Sequence, residues 1–74
     1  MEVLVYADRN DKKSAENILE KFKIVSYLID YVFFKGKFVC VFKLSVAAGE
    51  NSKKVDKLLE SEYYQRNFIV PNKK

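Results

Sequence analysis

The sequence predicts an α+β domain: a four-stranded antiparallel sheet with two helices packed on one of its faces. Short β-prone runs occur near residues 3–6, 24–46 and 68–70, and two stretches with apolar residues at helical spacing separate them. A glycine breaks the long middle run where a hairpin would turn.

Val3, Leu4, Val5 and Tyr6 form the first run, which ends in the turn-forming stretch Asp8, Arg9, Asn10 and Asp11. Ala15, Ile18, Leu19 and Phe22 then fall at i, i+3, i+4 and i+7, one stripe of a helix, with Asn10 or Asp11 placed to cap it. Residues Ile24 to Phe34 and Phe38 to Val46 are rich in β-branched and aromatic side chains. Gly36 closes the turn between them, because it takes positive φ without steric cost. Ala47, Ala48 and Gly49 form a loop, and a second helix follows with Asn51 or Ser52 as its cap and Val55, Leu58, Leu59 and Tyr63 on its apolar side. Adjacent helix positions point about 100° apart, so Tyr63 packs while Tyr64 and Arg66 stay exposed as a secondary contact surface. Phe68, Ile69 and Val70 make a last strand that Pro71 ends, and Asn72, Lys73 and Lys74 fray.

The order strand, helix, strand, strand, helix, strand, with two right-handed crossovers, is that of the ferredoxin-like sandwich. Were the last strand not to pair, a three-stranded sheet would remain, its open edge inviting a second copy. At 74 residues the expectation is a single domain over 1–74, with an ordered core of about 2–70 and a frayed tail at 71–74.

A chain this short gains little from its own core, so a disulfide, a metal or a partner is the usual supplement. Cys40 is the only cysteine and there is no histidine, which excludes an internal disulfide and the common Cys/His zinc site. Association with a protein partner or a second copy, as in a homodimer, is the remaining route. No apolar run approaches the roughly 20 residues of a membrane span. The start MEVLVYAD lacks the basic-then-apolar order of a signal peptide, so the expected compartment is the cytoplasm, with Cys40 reduced. The net charge of +4 resides in residues 21–43, where Lys21, Lys23, Lys35, Lys37 and Lys43 outnumber the single acid, Asp30.

Period-two alternation sorts the strands between a helix-covered face and an open one. Phe38, Cys40, Phe42, Leu44 and Val46 go to the core, with Val3, Val5 and Ala7. In the second strand Val25, Tyr27, Ile29, Tyr31 and Phe33 go inward, leaving Ser26, Leu28, Asp30 and Val32 outside. The open face then collects Leu4, Tyr6, Leu28, Val32, Val39 and Val41, with Lys37 and Lys43 at its margin. A contiguous apolar patch of that kind is a candidate protein interface.

The element order and three short segments resemble the RNA-recognition motif. Val5-Tyr6-Ala7 looks like the start of that family's first-strand motif, LEKFKIVSYLI is similar to its passage from first helix to second strand, and KGKFVCVF resembles its third-strand motif in Lys35-Gly36 and Phe42. The resemblance implies single-stranded RNA binding by the sheet, with Tyr6 stacking a base and Lys35, Lys37 and Lys43 on phosphates. The sequence departs from the motif at its two outward aromatic positions, which Lys37 and Val39 occupy.

The usual catalytic signatures are missing: there is no histidine, no nucleophile elbow, no glycine-rich phosphate loop and no metal-spaced set of ligands. Asp8 and Asp11 are turn and cap residues, Asp30 is a partner for Lys43 or Lys37, and Cys40 packs as a small hydrophobe. The expectation is a non-catalytic binding or regulatory protein without cofactor or metal, acting through self-association or by modulating another protein. Its alternative is a basic nucleic-acid binder. A compact chain of this kind suits an accessory protein of a virus or mobile element.

Overall fold

A computed structural model of the chain describes residues 2–46 and 50–70. Strand β1 (Glu2–Asp8) passes through a 3₁₀ turn (Arg9–Asp11) into helix α1 (Lys12–Lys21). Strands β2 (Ser26–Phe34) and β3 (Lys37–Ser45) form a hairpin, and helices α2 (Glu50–Glu60) and α3 (Glu62–Asn67) follow. The sheet has three antiparallel strands in the order β1-β3-β2.

The expected four-stranded, ferredoxin-like sandwich is therefore corrected to an α+β fold that has, among the described residues, a three-stranded sheet and three α-helices. Phe68 is committed to the core as the C-cap of α3, so only Ile69 meets β1, and Ser61 divides the expected second helix in two. Its hydroxyl donates to the Leu58 carbonyl at 2.6 Å and accepts the Tyr64 N–H at 3.3 Å, so one residue ends α2 and caps α3. The helical turn thus continues to Asn67, and Phe68 serves as its C-cap rather than opening a strand. Ile69 makes one isolated antiparallel bridge with Tyr6, donating its N–H to the Tyr6 carbonyl at 2.7 Å. The same restart changes the phase of the helix, so Tyr64 packs against the core while Tyr63 is 43% exposed, the reverse of the expectation. The loop at Ala47–Gly49, the stop at Pro71 and the tail Asn72 to Lys74 lie outside the described residues.

One face of the sheet carries the core. Val5, Ala7, Cys40, Phe42 and Leu44 from the strands cluster with Ala15, Ile18 and Leu19 of α1, Val55 and Leu58 of α2, and Phe68. The expected stripe on α1 is present, and Phe22 packs at its margin. Asp8 rather than Asn10 or Asp11 supplies the cap: its carboxylate accepts the Asn10 N–H at 2.9 Å and starts the 3₁₀ turn, while Asp11, the N-cap of α1, makes no side-chain bond to the helix.

Among the described residues, two that are not glycine adopt left-handed backbone. Lys23 (φ 58°) ends α1 in a paired hydrogen-bond motif: its N–H donates to Glu20 and that of Ile24 to Leu19, both at 2.9 Å. Lys35 (φ 51°) and Gly36 (φ 80°) together make the two-residue hairpin turn, and positive φ at both central positions is the signature of type I′.

The register explains which side chains share a face. Leu44, Phe42 and Cys40 pair with Val3, Val5 and Ala7 of β1, as alternation predicts. In β2 the ladder runs Ser26 to Leu44 and Leu28 to Phe42, then resumes at Asp30 to Val41, leaving Ile29 as an extra, bulged residue. The bulge shifts the parity of everything before it. Leu28 consequently turns to the helix-covered side and packs against the core, whereas Val25, Tyr27 and Ile29, expected inside, are exposed.

Candidate functional surface

β1 stops pairing with β3 at Asp8 and Val39, but the β2–β3 hairpin continues to Phe34 and Lys37. The hairpin end therefore overhangs the rest of the sheet, with no strand on its β1 side among the described residues. This is why Tyr31, Phe33 and Phe38 remain open although register places them on the helix-bearing face: Phe33 is 66% exposed, and Tyr31 and Phe38 are about half exposed. Phe33 and Phe38 stack edge to face, with ring centroids 5.1 Å apart. Phe34, on the opposite side of the hairpin, is also half exposed, and the Lys35 ammonium lies 5.3 Å from its ring centroid.

The helix-free face differs from the continuous patch expected there. Leu4 is exposed and Tyr6 and Val32 are half-buried, but Val39 and Val41 are only 2% and 6% exposed, and Leu28 is not on this face at all. The central strand carries the short valines, and longer neighbours close over them from either flank. Tyr6, Val32, Phe34 and Ile69 join Val39 in lining a pocket of about 310 Å³, so the segment after α3 covers one side of what would have been open sheet. Of the predicted contact residues the structure leaves Leu4, Tyr6 and Val32 accessible to a partner, and removes Leu28, Val39 and Val41.

The basic residues do not form the expected phosphate track. Lys37 pairs with Asp8 at 3.5 Å rather than with Asp30, and Lys35 occupies the turn. Lys43 lies beside Leu4 and Tyr27, six positions along β3 from Lys37, which is about 20 Å at the usual rise. Tyr6, the one proposed stacking platform, is partly covered beside Ile69. A different basic and aromatic cleft, of about 530 Å³, lies between Arg9, Lys12, Tyr31 and Phe38 at the start of α1.

Asp30 makes an unexpected bond: its carboxylate accepts the N–H of the next residue, Tyr31, at 2.8 Å. Cys40 is fully buried, and that burial pushes its thiol above the ordinary range, with Lys12 pulling weakly the other way. Burial likewise raises the Tyr64 phenol, helped by neighbouring Tyr6. Among the described residues no cluster of three or more His, Cys, Asp or Glu side chains could hold a metal ion, and no helix is long and apolar enough to cross a membrane.

The residues that sequence reasoning missed are those of the overhang. Tyr31 and Phe33 were assigned to the core by alternation, as was Phe38, and a signal for their exposure existed only in length: the apolar run of the hairpin outlasts the first strand. Fold and surface together define a small α+β domain with an aromatic hairpin end and an open sheet edge. No protein-family model, curated protein or solved structure matches the chain.

Proposed function

We propose that this chain is a small, non-catalytic binding protein that acts in the cytoplasm by covering a protein surface, with the overhanging end of the hairpin as its contact. The observation that carries this reading is the exposure of Tyr31, Phe33, Phe34 and Phe38 around one edge of the sheet. Half of a large aromatic side chain is roughly 100 Å². Four of them offer about 400 Å², worth on the order of 10 kcal/mol when withdrawn from water at about 25 cal/mol per Å², before the costs of association. Aromatic residues held on a rigid hairpin lose little side-chain freedom on binding, which is the composition of interface hot spots. Leu4, Tyr6 and Val32 extend the contact onto the helix-free face.

Capture on the immobilised chain, with and without nuclease, tests the reading against nucleic-acid binding. Wild-type chain should retain a protein, a second copy or another chain, with nuclease making no difference. Phe34→Asp, a change at an exposed position, should abolish retention. Retention that disappears on nuclease treatment, or that survives Phe34→Asp and Phe38→Asp alike, overturns it.

A further inference from the structure

We propose that the partner at this surface is a second copy of the chain, joined edge to edge through β2 about a two-fold axis at Val32. The inference rests on the protein-binding reading above and assigns the occupant and register of that surface.

The direction of the backbone groups follows from the hairpin. A two-residue turn makes Phe34 and Lys37 a hydrogen-bonded pair, so by alternation the N–H and C=O groups of Phe34, Val32 and Asp30 face β3 and those of Tyr31 and Phe33 face away. The Tyr31 N–H confirms the alternation, since only an outward N–H is free to meet the Asp30 carboxylate. Among the described residues β2 is the edge of the sheet, so four backbone groups on regular strand, all within Asp30–Phe34, face away from it toward another strand.

Few registers use them. In antiparallel pairing about a two-fold axis, centring on Asp30 sets two carboxylates face to face and sends Tyr31 to the partner's bulged Ile29. Centring on Tyr31 sends Phe33 to that same bulge, and centring on Phe33 sends Tyr31 to the partner's turn at Lys35. Centring on Val32 pairs Tyr31 with the partner's Phe33 in both directions, which forms four hydrogen bonds without touching bulge or turn. It also stacks tyrosine against phenylalanine on one face, and brings the partner's Lys35 beside Asp30, the only acid on β2. The Asp30 carboxylate then exchanges the Tyr31 N–H for that ammonium. With the exposed rings of Tyr31, Phe33 and Phe34 and the edge itself, each copy contributes roughly 400 Å², so the pair buries about 800 Å², the size of a small, reversible interface. The two sheets become one of six strands.

The register is read by crosslinking. Opposed residues of a pair without hydrogen bonds lie about 4.5 Å apart at Cα, within disulfide reach. Under mild oxidation Val32→Cys should crosslink to itself quickly, while Tyr27→Cys, equally on β2 but far from the axis, should not; native Cys40 is buried and silent. Sedimentation of wild-type chain should give twice the 8.7 kDa mass. Phe33→Pro removes an N–H that β3 does not use, so it should stay folded yet weaken the dimer about thirtyfold more than Phe33→Ala, the effect of losing two symmetry-related hydrogen bonds. In wild-type chain, exchange of the Tyr31 and Phe33 amides should slow as concentration rises, a readout independent of any variant. A monomer at millimolar concentration, or Val32→Cys crosslinking no faster than Tyr27→Cys, overturns self-pairing. If the chain is monomeric and Phe34→Asp still abolishes capture of a different protein, self-pairing falls while the binding reading stands; if capture is also unaffected, both fall.

Discussion

Replacing Lys23 by glycine should stabilise the chain, although it deletes a charged side chain and adds nothing to the core. Lys23 holds φ at 58° because the end of α1 requires it: only a left-handed residue there lets its own N–H reach Glu20 and the Ile24 N–H reach Leu19, each at 2.9 Å. Leu19 and Ile24 are both buried, so the turn also fixes a hydrophobic contact and cannot relax without cost. Left-handed backbone costs an L-residue about 1–2 kcal/mol, and glycine escapes that cost but has about 0.5–1 kcal/mol more freedom to lose from the unfolded chain. The net gain is about 0.5–1 kcal/mol, or roughly 3–6 °C in Tm for a domain of this size. Urea unfolding followed by circular dichroism, at one low protein concentration so that association does not contribute, measures it as a higher midpoint at constant slope. Lys23→Ala is the control, since it removes the charge and keeps the Cβ; its midpoint should stay within about 0.5 kcal/mol of wild type. An unchanged or lower midpoint for Lys23→Gly, or an equal gain for Lys23→Ala, would refute the backbone argument.

Two further outcomes follow from burial. Leu58 is fully enclosed, so Leu58→Ala should cost about 2.5–5 kcal/mol, a large share of the total stability of a small domain, and appear as a collapse of the urea midpoint or loss of a cooperative transition. Burial raises the Cys40 thiol and the Tyr64 phenol, so the folded chain keeps both protons to higher pH than the unfolded chain does. Their contribution is complete below the ordinary ranges of thiol and phenol and is lost as pH rises through the folded values. Urea midpoints should accordingly fall above about pH 8.5, and the fall should be shallower in Cys40→Ala and Tyr64→Phe; a flat alkaline profile in wild type contradicts the assignment.

The parts of the fold that were legible in the sequence are those fixed by local chemistry. The stripe Ala15, Ile18, Leu19 and Phe22 has one helical solution, and Lys35-Gly36 between two β-rich runs has one compact turn. Alternation in β1 and β3 was also legible, because both are regular along their whole length. What escaped were single-residue events that reverse a period. The bulge at Ile29 has no glycine or proline to announce it, and it exchanges Leu28 with its neighbours between core and surface. Ser61 is one polar residue inside an otherwise continuous helical pattern, yet its two hydrogen bonds restart the helix and exchange Tyr63 with Tyr64. The candidate patch was only partly legible for a third reason. Alternation tells which side of a sheet a residue takes, not whether longer neighbours shade it, and Val39 and Val41 lie on the predicted side beneath such neighbours.

The strand order carries a consequence for synthesis of the chain. β3 lies between β1 and β2 but is made after both, so neither edge segment has a partner until residue 45 has left the ribosome. At typical elongation rates the interval between completing β2 and completing β3 is about a second. During it SYLIDYVFF is a bare, nearly uncharged strand that a chaperone or a neighbouring nascent chain can take up, and the rapid closure of the turn at Lys35-Gly36 limits that exposure.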